Sequence, residues 1–321
     1  MTETVYDPAR QLPRFTIRET RDRRAIDAAL SEDRAFSSYA LGHLEDSMFR
    51  RARFWIAQGE TGSAVVLHAN AMGQTLFVSG AAAAIDAVLS LHPGPRFTYL
   101  TTCSPQTLPV LRRSYAITDV LTMNRMSVTS AAFQPAEGPA QLLRGADVRA
   151  LNALYSLERA GAYSAQHLER GVYYGAFREG RLVAAAGTHV VAPNVGIAVV
   201  GNVFTHPGHR GRGLATLVTS KVTSELFSRG CSLATLTVDD ANTPAVRAYV
   251  RLGYTRGAAV VEARARRRDM LGLSAWLRRR AARHGEHRGE RHEITSGRPL
   301  PADHAGSRDT DSADADSEAQ R

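Results

Sequence analysis

Apolar positions along this chain follow two spacings in turn, and the order in which they alternate occurs twice. Apolar residues three and four apart predict helices over 22–30 and 35–50. Short apolar runs then predict strands over 53–57, 64–68 and 75–79. An Ala-rich helix is expected over 81–91, a strand over 97–101, a helix over 107–114 and a closing strand over 119–129. Ser104 and Pro105 offer N-cap and first-turn chemistry for the last of these helices. The second half predicts helices over 147–159, with Asp147 as a cap, and over 165–170. Strands over 172–177, 182–191 and 197–204 follow, the first two joined by a Glu179-Gly180 hairpin turn. A long helix from Gly211, a strand from Ser232, a helix from Thr243 and a last strand pair over 254–265 complete the pattern.

The repetition is one of element order, not of residues, and it predicts two tandem copies of one αβ unit. Pro135, Gly138 and Pro139 mark the segment 131–145 as a linker. Beyond Arg268, residues 269–283 can form a basic amphipathic helix with Met270, Leu273, Trp276 and Leu277 on one side. From His284 to the end the chain has almost no apolar residues and is expected to be disordered.

Candidate chemistry concentrates at two places. Arg210-Gly211-Arg212-Gly213-Leu214-Ala215 lies between an apolar strand and a helix. A helix N-terminus presents free N–H groups and a favourable dipole to an anion. Glycines there allow close backbone approach, and arginines add charge-assisted donors. The second place follows the strand from Ser232: Asn242, Ala245, Tyr249, Gly253 and Tyr254 recur at spacings that set them along one helix and its exit. Together the motifs Arg210-x-x-Gly213-x-Ala215 and Asn242-x-x-Ala245-x-x-x-Tyr249-x-x-x-Gly253-Tyr254 resemble those of the GNAT superfamily of acyl-CoA-dependent N-acetyltransferases. The resemblance covers roughly residues 140–268.

The resemblance implies an α/β (α+β) fold of two tandem GNAT-like domains, each a mixed, mostly antiparallel sheet flanked by helices. Residues 146–268 would be the catalytic copy. Residues 1–130 would be a degenerate copy, because Phe77-Val-Ser-Gly80 runs almost directly into its helix without a pyrophosphate loop. Acetyl-CoA would be the co-substrate and an amine the acceptor. Val203, Phe204 and Thr205 would hold the pantetheine arm beside a strand bulge, and the Val203 N–H would polarise the thioester carbonyl. Residues Arg210, Gly211, Arg212, Gly213, Leu214 and Ala215 would hold the pyrophosphate. Asn242 would cap its helix and steady the arm, and Tyr249 would protonate the departing thiolate.

The general base is the departure from the family. Where many members carry a glutamate this chain has Val199, and the strand Gly196–Thr205 has no carboxylate. His189 is a candidate if its ring faces the cleft, Asn202 if it orients a water, with Glu158 and His206 behind them. A copy that binds acyl-CoA as a sensor without turnover is the alternative reading.

Composition narrows the remaining classes. The net charge is +9, but Lys221 is the sole lysine, so arginine carries nearly all of it; this reads as a composition bias, and nucleic-acid binding is not favoured. Cys103 and Cys231 are too few for a disulfide framework or zinc site and are expected to be buried thiols. No metal signature stands out. No run suits a membrane span or a signal peptide, and a cytoplasmic setting is expected. Acceptor identity, acyl-chain length and oligomeric state leave no mark in the sequence.

Overall fold

A computed structural model describes residues 14–71, 73–158, 162–269, 271–286 and 294–295. The first half contains β1 (Arg14–Thr20), α1 (Arg23–Leu30), α2 (Ser38–Gly42), α3 (Asp46–Phe49), β2 (Ala52–Gly59), β3 (Gly62–Ala69), β4 (Thr75–Gly80), α4 (Ala82–Leu91), β5 (Phe97–Cys103), α5 (Leu108–Ser114) and β6 (Tyr115–Thr129). The second contains β7 (Gln141–Leu142), α6 (Val148–Tyr155), α7 (Ala165–Arg170), β8 (Tyr174–Arg178), β9 (Arg181–Ala192), β10 (Ile197–Thr205), α8 (Leu214–Ser228), β11 (Leu233–Val238), α9 (Thr243–Arg251) and β12 (Thr255–Arg267). Then come α10 (Leu273–Glu286) and β13 (Ile294–Thr295).

The strands form one mixed sheet in the order β13-β1-β2-β3-β4-β5-β12-β6-β11-β10-β9-β8-β7. Each half has one parallel pair, β4 with β5 and β10 with β11, each bridged by a helix, and the other pairs are antiparallel. The closing strands are exchanged. β6, from the first half, lies beside β11, with Leu233 opposite Thr129 and Val238 opposite Asn124. β12, from the second half, lies beside β5, and the two exchanged strands pair with each other at the sheet's centre. The expected strand pair over 254–265 is thus one long strand. Its neighbours come from the other half, so no turn is needed within it.

Packing follows the exchange. Met126 and Val128 of β6 join the core under α8 and α9, while Val261, Ala263 and Ala265 of β12 join the core under α4 and α5. On the opposite face Ile26, Leu41 and Phe77 share a core with Val190, Val199 and Val260, so α1 and α2 cover both halves. Gly42 makes that approach possible, since a Cβ there would collide with Val190.

The helix expected over 35–50 is two short ones, α2 and α3. The backbone passes through a turn at residues 43–45, and Glu45 reaches across to bond the Asn194 backbone and amide. Asp147 does not cap α6 with its side chain; its carboxylate accepts the Arg144 N–H instead, closing the turn before it. In α10 Ala275 is buried, while Leu273, Trp276 and Leu277 face outward. Arg278 and Arg279 tie this helix to the Ser90 and Leu91 carbonyls at the end of α4. Parts of the segment expected to lack structure have it: α10 runs to Glu286, and Ile294–Thr295 pairs with β1. Residues 287–293 and 296–321 lie outside the described residues. Both cysteines are buried free thiols, and no helix among the described residues is long and apolar enough to cross a membrane.

Candidate active site

The site begins where β10 leaves β11. The two strands pair in parallel only over Ile197–Val199 against Leu233–Thr235, and beyond that they diverge. On its other edge β10 shifts register against β9 between Gly201 and Phe204. Asn202 stands at the shift with φ of 54°, a left-handed backbone that asparagine tolerates better than most residues. Asn202 and Val203 therefore drop out of the β9 register, leaving backbone polar groups at a bulge.

Between the diverging strands lies a crevice of about 1010 Å³. Gly201, Val203, Thr205, Gly213, Asn242 and Tyr249 are among the residues that line it. At its mouth Gly211 and Gly213 have φ of 75° and 73°, and a Cβ at either would meet nothing within 4 Å. Among the described residues the N–H groups of 211–216 have no backbone carbonyl partner; the first bond of the helix is Leu217 N–H to Gly213 C=O. This row of donors, with the Thr205 hydroxyl buried and unpartnered nearby, suits a pyrophosphate and a polar arm.

The arginines divide. Arg210 lines the crevice and donates from Nε to the Thr205 carbonyl at 3.3 Å. Arg212 is exposed and lies outside the lining. Arg247 and Arg251, one turn apart on α9, line it too. Sequence reading passed over that pair, although the four-residue spacing was there to be seen. Asn242 accepts the Ala245 N–H at 3.2 Å and lines the crevice, so one side chain caps the helix and faces the cleft. Tyr249 is 6% exposed, and its hydroxyl makes no hydrogen bond among the described residues. Burial pushes its phenol up to about 12, which keeps it protonated at neutral pH.

Residues 145–254 match the sequence profile of the Acetyltransferase (GNAT) family. This part of the chain is a GNAT domain. The mycothiol acetyltransferase of Thermobispora bispora is 40% identical over 88 residues, which span 26% of this chain and 30% of that relative. A GCN5-related N-acetyltransferase from Kribbella flavida superposes with a TM-score of 0.52 at 20% identity, over 72% of this chain and 94% of its own. A Drosophila protein superposes with the same TM-score at 16% identity, over 75% of this chain and 86% of its own. At these identities the two structures establish the fold alone.

The candidate bases look different in the GNAT domain's own geometry. His189 lies against Gly201, where a Cβ would strike its ring. The ring is solvent-accessible yet surrounded by protein. Burial, and then the Arg125 charge, hold its pKa down at about 4, so it is neutral at pH 7 and a weak proton acceptor. Asn202 does not stand free to orient a water through its carbonyl. Its Oδ1 accepts the Tyr163 hydroxyl at 2.7 Å, its Nδ2 donates to the Tyr173 hydroxyl at 3.3 Å, and its backbone carbonyl accepts the Tyr155 hydroxyl. Three tyrosines thus pin the bulge, a support that residue spacing could not reveal because they come from separate elements. His206 accepts the Gly208 N–H at 3.1 Å and closes the turn after β10. The Glu158 side chain lies outside the described residues. Among the described residues no group of histidines, cysteines and carboxylates could hold a metal.

Proposed function

We propose that the GNAT domain transfers an acetyl or other short acyl group from CoA to an amine by direct attack. The observation that carries this reading is the row of unpartnered N–H groups over 211–216 at the mouth of the crevice. Family membership supplies the donor, acetyl-CoA. The 211–216 amides and Arg210 hold the pyrophosphate, with the nearby arginines of α9 adding positive charge. Thr205, Asn242 and the bulge at Val203 hold the pantetheine arm, and the Val203 N–H donates to the thioester oxygen. Phe204 turns inward to the tyrosine cluster and fixes the bulge from behind.

The amine nitrogen forms its bond to the carbonyl carbon, the carbon–sulfur bond breaks, and the Tyr249 hydroxyl gives its proton to the leaving thiolate. His189 accepts a hydrogen bond from the amine beside Gly201, and the amine's proton passes on to water. The first half is a copy without an acyl-CoA site. There Ala81 alone separates β4 from α4, and its N–H is already bonded to the Ser63 carbonyl.

Titrating acetyl-CoA into wild type and Arg210→Glu tests the donor site. Reversing this charge is expected to weaken binding about tenfold or more, since a charge-assisted donor becomes a repulsive carboxylate. Equal affinity, or no binding by wild type, contradicts the assignment. Thiol release against a panel of amines then identifies the acceptor class.

A further inference from the structure

On the face of the sheet opposite α8 lies a buried charge that the acyl-transfer steps do not use. Arg125, on β6, is the largest fully buried side chain among the described residues. Its Nη2 donates to the Thr102 hydroxyl, while Nε and Nη1 have no hydrogen-bond partner among the described residues. The two carboxylates whose charge it feels, Glu262 and Asp33, are bonded elsewhere. Glu262 accepts the Tyr99 hydroxyl at 2.9 Å, and Asp33 accepts the Phe36 N–H at 2.8 Å. A guanidinium stays charged when buried, and a desolvated charge without a partner is strongly unfavourable in a folded chain. Thr102, its one hydrogen-bond partner, is itself unusual: a fully buried β-branched residue with φ of 54°, a left-handed backbone. Strain of this kind clusters where a ligand is held.

The position of Arg125 ties it to the crevice. It stands directly opposite Thr237 of β11, so the two share a face of the sheet, and Met123 lies on that face two residues earlier on β6. Thr237 and Met123 both line the crevice. The guanidinium carbon lies 5.3 Å from the centre of the Tyr39 ring, which is 6.0 Å from that of His189. His189 is solvent-accessible and rests against Gly201, another lining residue. Charge is felt along this row, since burial and then Arg125 hold the His189 pKa down at about 4. The helix α8, whose N-terminus is proposed to hold the donor's pyrophosphate, packs on the other face with Met126 and Val128. An amine attacking the thioester must come from the side the donor leaves free, which is the face of His189, Tyr39 and Arg125.

Resting on the acyl transfer proposed for the crevice, we infer that the acceptor is an amine that also carries a carboxylate, and that Arg125 holds this carboxylate while the amine sits beside His189 and Gly201. One guanidinium balances one negative charge, which selects a carboxylate over a phosphate dianion. The free N–H groups donate to its oxygens, while the Tyr39 ring face and the Thr102 hydroxyl keep the guanidinium in place. Met123, unbranched and half-buried, is the side chain that swings aside to admit it.

The test compares amino acids with their primary amides on the full chain. Glycine, β-alanine, γ-aminobutyrate and ε-aminocaproate space the two groups progressively. Thiol release from acetyl-CoA gives kcat/KM for each acid and its amide. Titration of the N-acetylated acids and amides, with CoA present, reads binding without turnover. In wild type one acid or more is expected to exceed its amide about tenfold in both assays. Arg125→Met removes the charge at similar size, so it is expected to fold as well as wild type and to bind acetyl-CoA equally, but to treat acid and amide alike. Arg125→Lys keeps the charge without the planar fork and is expected to show a reduced preference, which serves should the methionine variant not fold. Arg210→Glu is expected to keep the full preference in the titrations, which separates this position from the pyrophosphate loop. The inference is overturned if wild type treats every acid and its amide alike. It is equally overturned if either Arg125 variant keeps the wild-type preference, or if only Arg210→Glu loses it. Failure of wild type to bind acetyl-CoA removes the acyl-transfer function instead, and the titrations of N-acetylated acids then decide the carboxylate site by themselves.

Discussion

Tyr249 is held in a wall of apolar side chains with a hydroxyl that makes no bond among the described residues, an arrangement that leaves it a proton to give. Replacing it by phenylalanine removes the proton and keeps the packing. Thiol release by Tyr249→Phe is expected to fall about 100-fold, in the range measured for general acids, with acetyl-CoA affinity little changed. The pH profile adds a sign. Burial disfavours phenolate and raises the pKa to about 12, so the donor form persists through neutral and mildly alkaline pH. Ionisation of Tyr249 then lowers the wild-type rate only as the pH nears 12. A profile that falls near pH 10 would mean the phenol sits in water. At this scale the sequence was informative where a side chain bonds within its own helix, as Asn242 does in capping α9. It was silent where the bonds cross elements, as with the tyrosines on Asn202, because partners from α6, the segment before α7 and the residue before β8 meet only after folding.

Elements set the positions at which glycine is required, and for different reasons. Gly253, φ 88°, ends α9, and a Cβ there would run into the Ala132 carbonyl oxygen of the chain passing beneath. Gly213, φ 73°, begins α8 in open space. Alanine at either position meets left-handed backbone strain of about 1–3 kcal/mol. Only Gly253→Ala adds a clash with backbone that cannot step aside. Chemical denaturation is expected to show Gly253→Ala as the less stable variant by 1 kcal/mol or more, on the order of one further strain term. Gly213→Ala is expected to fold and to lose acetyl-CoA affinity instead, because its Cβ crowds the anion. A Gly213→Ala protein with unchanged affinity would remove this loop from the binding site. The loop and α9 were legible because each is signalled locally, by Gly-x-Gly after an apolar strand and by Asn-x-Pro before a helix, whereas the bulge was expected only through the family resemblance. The break between α2 and α3 was not, since Glu45 stabilises it through Asn194, 149 residues away.

The whole molecule is held together by what no local signal carries, the exchange of closing strands. The repeat of strand, helix, strand, helix and strand was readable in each half, and it led to two units divided by a linker at 131–145. The exchanged pairing has a different consequence for that division. A fragment beginning after the linker would have β11 but not β6, and so would leave the β11 edge and the core at Val238 and Tyr254 uncovered. A fragment ending before it would keep β6 but lose β12, opening the core at Leu100 and Val110. An uncovered apolar strand edge favours aggregation over folding. Cutting the gene between residues 134 and 135 and expressing the pieces apart is therefore expected to give two insoluble fragments. Expressed together, they are expected to copurify as one complex with cooperative unfolding and acetyl-CoA binding like that of the intact chain. The decisive outcome is the second fragment alone. If it is soluble, unfolds cooperatively and binds acetyl-CoA, the GNAT domain closes its own sheet and the exchange is dispensable. If it does so only when the first fragment is present, the strand that stands beside β11 must come from the other half, and the first half contributes β6 to the domain it accompanies.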